Sequence, residues 1–311
     1  MKNDFLGYMD FLKDKDLFLY KNYKTFNLFF ESLIRNDSLL SIFSDLDGKC
    51  NTKFDYSIYD DKDILNYVYS FFNKINLDLA KNFYDNVESG KLIYDNDVLK
   101  PHFKTYRDND TLRLNNYIIE IPRTNTVKDF YCLVHEFTHY LINRINENRS
   151  ISKSVINIYD EAIAIYSELL FFDFIKNRIS LEDSKRIIEE RLYNCFVQGS
   201  DLYSSYNAIE LICDGKSYDE VVNFFNDDVF LNDFKDKVKN KKVFPYEHFI
   251  GTISALKMYF DKVNLFDLIS LINDGDIDKL SAVIGISFNT ESACSLFINY
   301  VNDMKLGGKN D

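Results

Sequence analysis

The sequence is poor in residues that break regular structure. Only 10 Gly and 3 Pro occur in 311 residues, and so few breakers favour long helices over a many-turned β protein. Cysteine is scarce. Five are scattered at Cys50, Cys132, Cys195, Cys213 and Cys294 with no CxxC pair, a pattern that fits reduced thiols in a cytoplasm better than a disulfide framework. Positive charge is in deficit, with 37 Lys+Arg against 49 Asp+Glu and a net charge of −12. Nucleic acid and anionic membrane surfaces both call for a basic face, so neither is an expected partner. Long apolar runs are missing too. No stretch approaches the roughly 18 apolar residues of a membrane span. Acids interrupt the first apolar stretch, MKNDFLGYMDFLKDKDLF, so it does not read as a signal peptide. What is present is a folding chain, 46% hydrophobic, with 28 Phe and 22 Tyr.

Helical periodicity dominates. It covers residues 1–47, with a turn expected at Asp45-Leu46-Asp47-Gly48, and returns over 61–87 before a stop at Glu88-Ser89-Gly90. The exception is TLRLNNYIIEIP at 111–122, whose alternation predicts a strand or hairpin ended by Pro122. Thr124-Asn125-Thr126 then offers an N-cap, and a helix is expected to run to about Asn146, with Asp129 in its first turn. Further helices are expected near 155–177, 181–198, 201–213, 217–238, 246–261, 264–273 and 290–305, with a break at Pro245. His102 reads as a surface or loop residue. Three regions follow: an N-terminal helical segment (1–60) packed on a main domain (61–306), and a frayed tail (307–311).

The most informative residues are His135-Glu136-Phe137-Thr138-His139. On a helix, positions four apart share a face, so both imidazoles reach one ion. Glu136 then stands beside the metal, where it can take a proton from water. The chain has only 4 His, and chance gives such a pentapeptide roughly a few times in a thousand. Phe130, Val134, Phe137, Leu141 and Ile145 form a separate apolar stripe that leaves the His face free. Cys132, one turn before His135, reads as a buried structural thiol.

A catalytic zinc site needs a third protein ligand. The helix YDEAIAIYSELLFFDFI carries Glu161 and Glu168, seven apart and therefore on one face. Apolar neighbours there would bury a carboxylate, which then needs a metal or a His partner. Spacing alone does not separate Glu161 from Glu168.

Three blocks in order, IIEIPRTNTVKDFYCLVHEFTHYL, DEAIAIYSELL and FPYEHFIGTISALKMYF, resemble the thimet oligopeptidase and oligoendopeptidase F family of zinc peptidases, over about residues 65–305. The resemblance implies a mainly α, zincin-like (gluzincin) catalytic domain with a small β-sheet or hairpin before the HExxH helix. It implies one Zn2+ per chain, held by His135, His139 and Glu161. It places Glu168 behind a ligand imidazole, where such a bond fixes the tautomer, and matches Asp129 to the acid before the motif. Tyr246 aligns with the family tyrosine that stabilises the oxyanion, and His248 stands where a second aromatic is common. Both also admit simpler readings, Tyr246 as a core residue and His248 as a cap on the cleft. Gly251 and Ala255 read as close-packing positions.

The chain departs from the family pattern at several points. Thr138 replaces a Gly, Ile142 replaces a His, and Lys237, Lys239, Lys241 and Lys242 occupy the region of an upstream His and Tyr. Most of the family's N-terminal helical half has no counterpart, which implies a more open cleft or a homodimer that rebuilds the wall. The expected activity is cytoplasmic, zinc-dependent hydrolysis of short or unstructured peptides by Glu136-assisted attack of zinc-bound water. The alternatives are a non-catalytic peptide-binding module on the same scaffold and a protein-specific processing endopeptidase.

Overall fold

The computed structural model describes residues 2–108, 111–142, 153–217, 220–221, 223, 228–242, 246–285 and 290–306. The described chain is mainly helical, with thirteen helices and one three-stranded sheet. Helices α1 (Lys2–Lys15), α2 (Leu17–Ile34) and α3 (Asp37–Cys50) are followed by α4 (Asp61–Ile75) and α5 (Leu77–Glu88). Strands β1 (Leu92–Asp95), β2 (His102–Asp108) and β3 (Thr111–Pro122) lead into α6 (Val127–Ile142), α7 (Lys153–Ile175) and α8 (Leu181–Cys213). The rest is α9 (Asp228–Lys239), α10 (Glu247–Phe260), α11 (Leu265–Asp274), α12 (Ile277–Ile284) and α13 (Thr290–Leu306). No described helix is long and apolar enough to cross a membrane.

Helix α7 is the axis of the molecule. It is buried on nearly every side, apolar from Ile156 and Ile163 to Phe171 and Ile175 except for the face that carries Glu161 and Glu168, as expected of a helix at the core of the fold. Its most extensive packing is with α10, and α6 lies along another flank. The apolar stripe of α6 faces an aromatic cluster. The Phe137 ring stands edge-on to Phe72 and Phe83, and Phe130 meets Tyr59 and Tyr67 in the same way. Each such pair adds about 0.5–1.5 kcal/mol beyond the area it buries. With that face committed to the core, the imidazoles of α6 point elsewhere.

The sheet has order β1-β3-β2, with β1 parallel and β2 antiparallel to the long β3. The 111–122 strand expected from alternation is thus the sheet's centre, and β2 is an edge strand. His102 is in β2 rather than a loop: it lies opposite Glu120 on β3, and its Nε2 contacts that carboxylate. A cross-strand charged partner gives it a place that local polarity did not reveal.

Three other expectations change. Asp45–Gly48 is not a turn but part of α3, because Leu39, Ile42, Phe43 and Leu46 carry one buried helical face through it. Helix α8 does not break near 199–200. Gly199 lies inside the helix, and its missing side chain leaves room for Phe249, whose Cε2 is 2.6 Å from where a Cβ would sit. Helix α12 was not expected; Asp276 caps its start and Gly285, with φ 53°, ends it. The expected extension to Asn146, the position of Ile145, the break at Pro245 and the 307–311 tail lie outside the described residues.

Candidate metal centre

The loop before α6 aims the helix. Asp129, in its first turn, reaches back to accept from the backbone N–H of Thr124 (2.9 Å) and of Asn125 (2.7 Å), and Tyr94 adds its hydroxyl at 2.5 Å. Asn125 has φ 56°, a left-handed conformation that Asn tolerates, and its side-chain amide donates to Asp61 at 2.6 Å. Asp129 is therefore a helix-start anchor. That is the first-turn role its sequence position offers; its described partners are Thr124, Asn125 and Tyr94, and neither imidazole is among them, so it does not act as a second carboxylate on the ligands.

Nearly two turns along α6, His135 and the next-turn His139 bring their Nε2 atoms to 3.0 Å. Glu161 of α7 sets Oε2 3.7 Å from His135 Nε2 and Oε1 3.9 Å from His139 Nε2. One ligand atom from each residue falls within 4.8 Å of the other two. Ligand bonds of 2.0–2.1 Å in a tetrahedron put neighbouring donor atoms about 3.3 Å apart, a spacing inside the observed range. Oε2 of Glu161 is buried, and the groups around it are imidazole nitrogens, His248 Nδ1 at 2.9 Å and His135 Nε2 at 3.7 Å; a buried carboxylate among neutral imidazoles needs positive charge, which a cation supplies. Two imidazoles and a carboxylate form a borderline N,N,O donor set that suits zinc. The residues fit a metal ion.

The position of Glu161 depends on a glycine. A Cβ on Gly251 of α10 would lie 3.0 Å from Glu161 Cβ and 3.1 Å from the backbone nitrogen of Ala162. Gly251 therefore lets α10 cross α7 directly over the ligand. One turn earlier on α10, His248 sets Nδ1 2.9 Å from Glu161 Oε2, with its side chain 48% exposed. Burial opposes the charge of Glu161. Even so, His248, His135 and His139 hold its carboxyl well below the usual range.

Each imidazole has a carboxylate behind it. Glu168, two turns along the same face of α7 from Glu161 and only 1% exposed, sets Oε1 2.5 Å from His135 Nδ1. Asp160 sets Oδ1 3.0 Å from His139 Nδ1. Burial lowers the His139 pKa, but Asp160, Glu161 and Glu136 outweigh it and raise it to about 9. Arg191 of α8 completes the group. Its Nε donates to Glu168 Oε2 at 3.1 Å and its Nη2 donates to Oε1. Burial likewise works against the charge of Glu168, and Arg191 and His135 hold its carboxyl below the usual range.

The sequence singled out neither Asp160 nor Arg191. Asp160 had one signal, its place beside Glu161. Arg191 had none, since it comes from another helix 23 residues beyond Glu168.

A cavity of about 360 Å³ opens beside the centre, lined by Tyr131, Cys132, His135, Glu136, Arg191 and His248 among others. Glu136 thus stands at the cavity wall next to the first imidazole. Burial pushes the Cys132 thiol up to about 12, so it is inert at neutral pH. Tyr246 is not among the lining residues. It is 1% exposed, its ring packs on Phe18 and Phe26, and its hydroxyl donates to Asp16 at 2.8 Å. The expected oxyanion tyrosine is a core residue here, held by the junction of α1 and α2. Thr138 is buried where α6 meets α7. Its hydroxyl donates to Val134 O at 2.7 Å and lies 2.8 Å from Ser167 Oγ. Ile142 is fully buried.

No family model matches this chain, and no curated protein sequence matches it. A solved structure does: that of a "putative peptidase from Chlamydophila abortus", with a TM-score of 0.65 over 95% of this chain at 13% identity. This chain spans 57% of that protein's length. At such low identity the likeness is one of fold.

Proposed function

We propose that this chain is a zinc-dependent metallopeptidase on a zincin-like scaffold, of the thimet oligopeptidase and oligoendopeptidase F kind. The observation that carries the reading is the convergence of His135, His139 and Glu161 from two helices within 4.8 Å, with Glu136 beside them at a cavity wall. The peptidase-like fold agrees with it. Binding alone needs no general base next to the ligands.

A zinc ion held by these three residues would supply a Lewis acid for a carbonyl and lower the pKa of a water. Glu136 takes a proton from the water that attacks the scissile carbonyl carbon, and returns it to the amide nitrogen as the C–N bond breaks. The products are a carboxylic acid and an amine. His248, half-exposed on the cavity rim, is the group positioned to donate to the oxygen that gains charge. Tyr246 has no such place, its hydroxyl being taken by Asp16. An extended peptide would add to the open edge of β2, whose entrance at Pro101 borders the cavity.

The test is cleavage of a mixed quenched-fluorescent peptide set by zinc-loaded wild type beside Glu136→Gln. Wild type is expected to cut, and the variant to lose roughly 10²–10⁴-fold in rate at unchanged zinc content. The burial of Tyr246 favours a second reading, a peptide-binding module without turnover. It becomes the better one if wild type binds zinc stoichiometrically, binds peptides and cuts none.

A further inference from the structure

We propose that Arg191 is a positioning residue for the metal centre: through Glu168 it fixes the imidazole of His135 in the orientation that presents Nε2 to the ion. The inference rests on the metallopeptidase reading above and concerns a residue on a third helix, outside the sequence motif.

Glu168 is nearly solvent-free, with its side chain 1% exposed, and His135 is 9% exposed. A carboxylate in such a place is stable only if its oxygens are satisfied. His135 takes one side of Oε1. Arg191 closes the rest as a fork, with Nη2 on Oε1 and Nε on Oε2. Both carboxylate oxygens are thereby fixed, and so is the plane of the group. The only freedom left to Glu168 is along its bond to Nδ1. That bond makes Nδ1 the protonated nitrogen and leaves the Nε2 lone pair for a metal.

Arg191 also stands between this pair and water. Its side chain is 31% exposed and lines the cavity, whereas Glu168 does not. The guanidinium thus roofs the carboxylate on the cavity side. Without it, Glu168 would face entering solvent with one oxygen unpaired. The carboxylate could rotate from Nδ1, and the imidazole could turn with it. A lysine cannot replace the fork, because it offers a point charge and not two parallel donors.

The alternative is that Arg191 merely ties α8 to α7. Arg186, also on α8, separates the two ideas. It is buried and bonds Glu190 at 3.0 Å and Thr52 O at 3.3 Å, without touching Glu168. Loss of Arg186 tests what an α8 ion pair contributes to stability alone.

The experiment uses metal-free full-length protein titrated with Zn2+ and with Co2+, reading affinity by chelator competition and the ligand field from the visible Co2+ spectrum. Arg191→Met, folded by circular dichroism, is expected to lose about 10–100-fold in metal affinity and to show a shifted Co2+ band. Arg191→Lys is expected to fall between it and wild type. Arg186→Met is expected to lower the melting temperature with an unchanged band. Wild-type affinity and spectrum in folded Arg191→Met would overturn the proposal. If Arg191→Met does not fold, Arg191→Lys decides, and binding as tight as wild type overturns it. A wild type that binds neither metal would defeat the metallopeptidase reading itself, which is a different result from equal binding by wild type and variant.

Discussion

Replacing Gly251 by Ala is a one-carbon change with two opposed effects that the structure lets one weigh. In a helix interior, Ala is better than Gly by about 0.8–1 kcal/mol. At position 251, however, the new Cβ would sit 3.0 Å from Glu161 Cβ, 3.1 Å from Ala162 N and 3.3 Å from Glu161 C. Two of these three atoms are backbone, which cannot step aside by changing rotamer. Forcing a methyl into a packed contact costs roughly 1–3 kcal/mol, so the net change should run from about 0 to 2 kcal/mol destabilising. At an unfolding entropy of about 2.1 cal/mol/K per residue, 1 kcal/mol shifts the melting temperature of a chain this long by about 1.5 °C. Gly251→Ala should therefore lower it by up to about 3 °C. Gly48→Ala is the matched control: Gly48 lies inside α3 with nothing within 4 Å of its added Cβ, and that variant should gain about 1.5 °C from propensity alone. The site supplies a second readout. The carbon that pushes α10 away also moves Glu161 and His248, so zinc affinity should fall in Gly251→Ala and hold in Gly48→Ala. Calorimetry and chelator competition measure both. If Gly251→Ala melts higher, like Gly48→Ala, and keeps its zinc affinity, α10 does not cross the ligand closely and the account of how Glu161 is positioned is wrong.

The remaining predictions contrast chemistry with packing. His248→Ala should cut kcat by roughly 10²–10³ with little change in melting temperature, and an unaltered kcat would remove His248 from the mechanism. Tyr246→Phe should do the opposite, losing about 1–2 kcal/mol of stability with its bond to Asp16 while kcat/KM holds; a collapse of kcat in a stable Tyr246→Phe would return that tyrosine to the site. In the metal-free protein His139 titrates near 9, above its ordinary 6.5, through Asp160, Glu161 and Glu136 acting against burial. Its stabilising contribution is then complete below pH 6.5 and disappears as pH rises through 9. Zinc needs the neutral imidazole, so apparent zinc affinity should rise about tenfold per pH unit between pH 7 and 9. A flat affinity profile over that range would show that His139 is not protonated in competition with the metal.

The parts of the site legible in the sequence are those that share a helix. His135, Glu136 and His139 are placed by the period of α6 alone, and the spacing of Glu161 and Glu168 by the period of α7. The helical pattern and the central strand were readable for the same reason, since each signal lies within about ten residues of itself. What could not be read was how separate helices meet. Glu161 and Glu168 look alike in sequence, yet Glu161 lies beneath Gly251 and His248 of α10 while Glu168 lies beneath Arg191 of α8. Tyr246 fails as an oxyanion donor for a reason 230 positions away, where Asp16 accepts its hydroxyl. Even the misread breaks follow this rule. Gly199 looked like a helix end because glycine is locally permissive, but it lies inside α8, where its missing side chain leaves room for the ring of Phe249. Local physics selects which side chains can face one another along a helix; which ones actually meet a metal or a partner is decided by the small residues at helix crossings. Gly251 lets α10 cross closely over Glu161, and Thr138 meets Ser167 where α6 packs on α7, so substitutions at these three helix contacts are where the geometry of the site is most exposed to change.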